Sequence, residues 1–308
     1  MPNHTSRATL GTIFVLIAGI SWGCSGLFVR YFSALNLGTM QLNFFKVGFA
    51  GLVLLLYCLI FDRDSLKIKL KDLWVFLCSG LVSLVFFTWA YFSTIQATSM
   101  STAAVLLYLA PIIVMLLSAL LFHEPITKRK ALACGMAFVG CAFVSGIVGG
   151  DLSLPFRALI TGLLSAVGYA LYSIFGKIAL NMGYHTNTIT TYTFVFATLG
   201  TAVFLKPSQI KEAAALSGNP CQFAGMVILM SVIVSLLPYL CYTQGLERIP
   251  AGKASIMASI EPVMATVLGA LVFHEIPDAF GFIGIALVIG AIVLLNLHGK
   301  GKQEAETE

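Results

Sequence analysis

AAVLLYLAPIIVMLLSALLFHE (residues 103–124) and ASIMASIEPVMATVLGALVFHE (residues 254–275) are two copies of one segment, 151 positions apart. Eight of the 22 aligned pairs are identical: Ala103/Ala254, Pro111/Pro262, Leu117/Leu268, Ala119/Ala270, Leu120/Leu271, Phe122/Phe273, His123/His274 and Glu124/Glu275. Each copy is an apolar run long enough to span a bilayer as a helix, with a proline inside it. Each closes on a His-Glu pair. Two His and two Glu are also the residue types of a metal or acid/base site, so the position of the copies in the fold decides what the pairs do.

The rest of the chain has the same character. Hydrophobic residues make up 58% and charged residues 10%, with a mean hydropathy of +0.94. A soluble domain is about 25% charged, so a water-exposed surface is excluded and a polytopic membrane protein is implied. The first apolar run, Ala8 to Val29, is too long for the core of a cleaved signal, and further spans follow it. Ten helical spans are expected, at 9–30, 39–61, 72–92, 99–122, 128–147, 157–179, 186–205, 221–243, 252–273 and 278–297. Thr127 and Asp278, again 151 apart, are suited to cap the fifth and tenth. KEAAAL, within the longest loop (206–220), suggests a short surface helix, and residues 298–308 read as a disordered tail. The seven cysteines contain no C-x-x-C and read as small buried hydrophobes. Asn3-His4-Thr5 is a lone glycosylation sequon in a terminus expected to be cytosolic.

Lysine and arginine set the expected orientation. With the N-terminus inside, thirteen of the eighteen lie on the cytoplasmic side. Four (Arg30, Arg157, Lys206 and Lys211) lie outside, and Lys46 sits within a span. Both termini are thus expected in the cytoplasm, with the chain multi-pass in a cell membrane.

The duplication extends beyond the opening pair. GISWGCSGLFVRY (19–31) aligns with AVGYALYSIFGKI (166–178) at a shift of 147, pairing Trp22 with Tyr169, Phe28 with Phe175 and Arg30 with Lys177. Five spans per copy is an odd number, so the copies must be inverted in the membrane. The expected fold is all-α, ten transmembrane helices as two inverted five-helix repeats, 9–147 and 157–297. Inverted repeats are an architecture of secondary transporters, with the substrate bound at the repeat interface.

On these residues the chain resembles the EamA branch of the drug/metabolite transporter superfamily. The resemblance rests on the five-plus-five spans and on the aromatic-glycine stretch closing on Arg30. It also rests on PAGKASIMASIEPVMATVLGALVFHE (250–275) with the glycine-rich last span GFIGIALVIGAIVLL. It covers about residues 10–297 and implies movement of small organic solutes by alternating access. One position departs from the repeat: Ala110 occupies the slot that holds Glu261 in the second copy.

Ionisable residues inside a span cost about 2.5–3.5 kcal/mol each and are functional candidates by default. Lys46 lies about 10 Å from the outer end of its helix and Glu261 about 13 Å from the inner end of its own. Across a core of about 30 Å their backbones differ in depth by roughly 7 Å. Snorkelling accounts for Lys46 without function, and a neutral or hydrogen-bonded carboxylate accounts for Glu261. The functional alternatives are a counter-ion for a substrate carboxylate, recognition of a substrate amine, or proton carriage. Trp22, Tyr169, Asn43, Tyr91, Tyr108 and Tyr242 are further candidates to bind substrate. Asn43 stands one turn before Lys46, and Tyr91 and Tyr242 are repeat mates. Pro111, Pro238 and Pro262 each remove a helix donor and mark expected breaks or gates. Gly19-x-x-x-Gly23 reads as a close helix contact.

The orientation puts His123-Glu124 on the inner face and His274-Glu275 on the outer face, about 30 Å apart. One metal cannot take both pairs, and H-E-x-x-H is absent, so the pairs read as helix stops. No metal or other cofactor is expected, and no P-loop for ATP occurs. The leading expectation is a secondary transporter, exporter or exchanger, of a small organic metabolite such as an amino acid. Its partners are then the solute and the lipid bilayer, with no nucleic acid, as a monomer or as a homodimer through the fifth and tenth spans. The alternatives are an integral-membrane enzyme using the His-Glu pairs, or a channel or sensor. The channel alternative lacks rings of like charge.

Overall fold

Apolar runs this long satisfy their backbone groups internally only as helices, and helices are what the chain forms. The computed structural model describes residues 4–98, 100–146 and 155–297, and no strand occurs among them. In order come α1 (His4–Gly23), α2 (Ser25–Ala34), α3 (Thr39–Phe61), α4 (Leu73–Leu77), α5 (Phe87–Ala97), α6 (Met100–Leu107), α7 (Ala110–Phe122) and α8 (Lys128–Val144). The second half contains α9 (Phe156–Asn181), α10 (Thr186–Ala202), α11 (Pro207–Leu216), α12 (Pro220–Met230), α13 (Leu237–Arg248), α14 (Ala251–Ala258), α15 (Ile260–Phe273) and α16 (Ala279–Asn296). The expected tail, 298–308, the end of the fifth span at 147 and Asn3 of the sequon lie outside the described residues.

Several of these helices are halves of one span. Eight stretches among the described residues are long and apolar enough to cross a membrane, and nine if α10 and α11, bent by 99°, count as one. The ten expected spans are therefore not all met. α8 has 17 described residues, at the lower limit for crossing. Several spans also run beyond their expected ends: 9–30 is part of Arg7–Ala34, 72–92 of Leu70–Ala97, and 221–243 of Pro220–Arg248. The added turns carry polar residues such as Gln96, Glu247 and Arg248. Hydropathy excludes these, but helix geometry does not.

The irregularities repeat with the sequence. α6 and α7 are separated at Tyr108 and Leu109, and α14 and α15 at Ser259, 151 positions after Tyr108. Leu109 and Ser259 both donate three residues back, to Leu106 O and Ile256 O at 3.2 Å each. Pro111 and Pro262 each follow the break by three residues, where a donor is already missing. The third span passes through a π-helical stretch at Cys78–Phe86 and its repeat mate through one at Ser231–Leu236. Pro238 follows directly, in the first turn of α13. A π-turn rotates the side chains after it relative to those before it.

The His-Glu pairs end α7 and α15 in the same way. His123 and His274 are left-handed, at φ 55° and 59°, a conformation costing about 1–2 kcal/mol for an L-residue. The left-handed residue itself makes the six-to-one bond of a helix stop, His123 N donating to Ser118 O and His274 N to Gly269 O, and the next residue shares each acceptor, Glu124 N at 3.3 Å and Glu275 N at 3.1 Å. Thr127 then caps α8 by accepting from Lys130 N (3.2 Å), and Asp278 caps α16 by accepting from Gly281 N (2.8 Å). Thr127→Ala and Asp278→Ala are each expected to cost about 1 kcal/mol, read as a fall in thermal stability in detergent. Unchanged stability in both would deny the caps their role.

Small residues decide the packing. A Cβ on Gly140 would lie 2.8 Å from Gly284 O, and one on Gly284 only 2.6 Å from Gly140 O, so α8 and α16 touch backbone to backbone. Those glycine faces, suggested above for a homodimer, are used within the chain. Leu52, Leu56, Ile60, Leu116, Leu120 and Leu271 point outward and exposed, as a lipid-facing surface requires. Buried hydroxyls bond both within and between helices: Thr190 donates to Thr186 O (3.0 Å), and Thr193 donates to Ser79 Oγ (2.8 Å), tying α10 to the first π stretch.

Candidate functional site

Helix breaks and π stretches surround one cavity of about 210 Å³. α1 and α2 contribute Trp22, Ser25, Phe28 and Val29. α3 contributes Asn43 and Lys46, the third span Phe87, Thr88 and Tyr91, and α6 with its break Leu107 and Tyr108. Tyr169, Tyr239 and Glu261 complete it from the second half. Seven of the eight residues expected to bind substrate line this space: Lys46, Glu261, Trp22, Tyr169, Asn43, Tyr91 and Tyr108. They come from six spans, which only the tertiary fold brings together.

Tyr242 does not line the cavity. It lies one layer below, with its ring 5.3 Å from that of Trp22 and its hydroxyl 2.8 Å from Ser173 Oγ. Tyr172 joins this layer, bonded to Thr243 Oγ1 at 2.9 Å and edge-on to Tyr239 at 4.9 Å. The four rings, Trp22, Tyr172, Tyr239 and Tyr242, are all at most 9% exposed and form a closed aromatic floor. At the opposite end the cavity adjoins a second, of about 380 Å³, and both are lined by Thr39 and Phe92. Gln41, Gln96, Lys206 and Gln209 make that second space polar. The site thus opens toward the His274 end of the molecule and is shut toward the His123 end.

The two half-buried charges within the spans are arranged unequally. Glu261 sits in the first turn of α15, beside the break, and Oε2 accepts from the Tyr169 hydroxyl at 3.3 Å. Lys46 faces the same cavity and makes no ion pair among the described residues. Asn43, one turn before it, donates to Thr88 Oγ1 (3.3 Å), which donates in turn to Leu84 O (2.6 Å). A cation and an acid are therefore presented to one small, mostly aromatic space without neutralising each other directly. Pro111, Pro238 and Pro262 do not supply side chains to it. They stand at the breaks and the π stretch that shape it.

Besides Ser25 and Thr39, two polar lining residues escaped the sequence reading, Thr88 and Tyr239. They are repeat mates at the same shift of 151, one helical turn before Tyr91 and Tyr242. That register was the available signal. It was hidden because the π stretches change which face of the helix looks inward. Among the described residues no group of three or more His, Cys, Asp or Glu is placed to hold a metal ion.

A multi-pass helical bundle whose broken helices enclose a small cavity lined by a cation and an acid that form no ion pair is the build of a membrane transporter. The comparisons with known proteins agree. The chain belongs to the EamA-like transporter family, which it matches over residues 9–146 and 156–297. It is 27% identical to the uncharacterized transporter YyaM of Bacillus subtilis (strain 168) over 288 residues, covering 90% of this chain and 88% of that one. It is 26% identical to the uncharacterized inner membrane transporter YicL of Salmonella typhimurium over 308 residues, covering 96% and 98%. A crystal structure described only as that of a protein superposes with a TM-score of 0.73 at 17% identity, over 95% of this chain and 98% of that one. At that identity it supports the fold alone.

Proposed function

We propose that the protein is a secondary transporter, exporter or exchanger, of a small organic metabolite such as an amino acid, working by alternating access. One observation carries this reading: Lys46 and the Tyr169-bonded Glu261 line a single cavity and form no direct ion pair. A zwitterionic or carboxylate-bearing solute fits that arrangement. Its anionic group would meet the Lys46 ammonium, its amine would meet Glu261, and its apolar part would lie among Trp22, Tyr91, Tyr108 and Tyr169. Asn43 and Thr88 would orient it by hydrogen bonds. The driving force is exchange, a proton gradient or the solute's own gradient.

The test is flux. Purified protein in liposomes, given a panel of labelled amino acids and related metabolites with and without a pH step, should exchange one class saturably. No exchange of any panel member above protein-free vesicles would sink the reading.

The two halves are taken as inverted repeats, with both termini in the cytoplasm. Topology reporters in the loops at 124 and 276 should then report opposite sides, with 124 cytoplasmic. Reporters on the same side would remove the inverted repeat.

A further inference from the structure

The repeat mates of this chain are bonded differently at its two ends. Glu124 is nearly buried, its side chain 12% exposed. Its Oε1 accepts from Ala251 N at 2.8 Å and its Oε2 from Gly252 N at 3.4 Å, and Lys130 Nζ lies 3.7 Å away. A glutamate of the first repeat thus caps the N-terminus of α14, a broken helix of the second. Such a terminus has free N–H groups and a positive dipole end. Glu275, 151 positions on, is 54% exposed and holds Arg30 Nη2 at 2.8 Å. Arg30 also lies 4.1 Å over the Phe273 ring. Lys177, the mate of Arg30, instead donates to Leu246 O at 2.8 Å. Tyr242 is sealed in the aromatic floor, while its mate Tyr91 lines the open cavity. The three pairs differ in the same sense: Glu124, Lys177 and Tyr242 are bonded into the closed His123 end, while at the His274 end Glu275 and Arg30 pair with each other and Tyr91 faces the cavity.

We propose that Glu124 and Glu275 are alternating latches, each closing one end of the transport path by capping the first turn of the other repeat's broken helix. Glu124 caps α14 in the state described here. Glu275 caps α6 in the opposite state, because Met100 and Ser101 are the repeat mates of Ala251 and Gly252. In that state Arg30 leaves Glu275 and takes the place its mate holds, on the carbonyl of Ile95, the mate of Leu246. One latch is engaged at a time, since engaging both would occlude the cavity from both sides. Similar repeats make the two states close in energy, so losing one cap moves the population measurably. The inference rests on the alternating-access reading above.

Cysteine accessibility tests it in the full-length chain, reconstituted, with its seven native cysteines replaced. Thr39→Cys reports the open mouth. Ser173→Cys, 3% exposed beneath the floor, reports opening at the other end. Glu124→Ala should raise labelling at 173 by an impermeant maleimide and lower it at 39, shifting their ratio about fivefold, the size of a lost cap. Glu275→Ala should shift the ratio the opposite way. The double variant should return to within about twofold of the parent, since each state then lacks its cap. A folding defect is not cured by a second truncation, so this restoration separates a latch from damage. Shifts in the same direction, no shift, or no restoration would overturn the latches. Failure of position 173 to label in the parent and in every variant would instead mark failure of alternating access itself.

Discussion

Glu261→Gln lowers the initial rate of solute exchange in liposomes by about 100-fold, and Lys46→Ala lowers it to a similar extent. Glutamine keeps the shape of the side chain and still offers an oxygen to the Tyr169 hydroxyl, which now donates to Oε2 at 3.3 Å. What changes is the charge. A charged group of a solute brought into a buried site without its partner costs roughly 2–5 kcal/mol, and each 1.36 kcal/mol is a factor of ten. Hence the expected loss of about two decades. The same reasoning makes Lys46→Arg a poor rescue, because a planar fork does not replace a compact ammonium in a cavity of about 210 Å³. The double variant Lys46→Ala/Glu261→Gln should fall short of the sum of the two losses, since both act on one ligand. Exchange within threefold of the parent in either single variant removes that residue from the mechanism.

The two charges were legible in the sequence because both break its rules. Each is ionisable within an apolar span, and each lacks a counterpart in the other repeat, as with Ala110 facing Glu261. The repeat was legible for the same kind of reason: prolines, helix stops and caps recur at one shift of 151. Tyr242 shows where this reading stops. Its repeat mate Tyr91 lines the cavity and Tyr242 does not. Sequence equivalence gives the same place in the topology, but the molecule occupies a state in which the two ends are not equivalent. The helix break at Cys24 was likewise invisible, and the one at Ser259 was marked only by Pro262, three residues on. Neither has a proline at the break itself, and both lie where α1 and α15 press on one another. The ten spans are not fully met among the described residues at α8 and α10, 17 residues each, and α10 bends by 99° into α11, which hydropathy does not see.

That pressure between α1 and α15 gives the second large effect. A Cβ on Gly23 would stand 2.7 Å from Glu261 O, 2.6 Å from Met264 Cβ and 3.1 Å from Ala265 N. Two of these atoms are backbone and cannot rotate away. One turn earlier, a Cβ on Gly19 would meet Ala258 O at 3.0 Å, so Gly19-x-x-x-Gly23 seats helix 1 against the break that presents Glu261. Alanine for glycine in a helix interior normally stabilises by about 0.5–1 kcal/mol. Overpacking costs about 1–3 kcal/mol, so at Gly23 the clash wins and the sign reverses. Gly23→Ala is expected to lower thermal stability in detergent and to slow exchange as well, because the carboxylate is displaced with its helix. Gly23→Leu is expected to yield no folded protein. Gly26 is the exposed control in the same span: a Cβ there meets nothing within 4 Å, and Gly26→Ala should keep or slightly raise stability with exchange unchanged. Equal stability of Gly23→Ala and Gly26→Ala would show that helix 1 does not hold Glu261 in place through this contact.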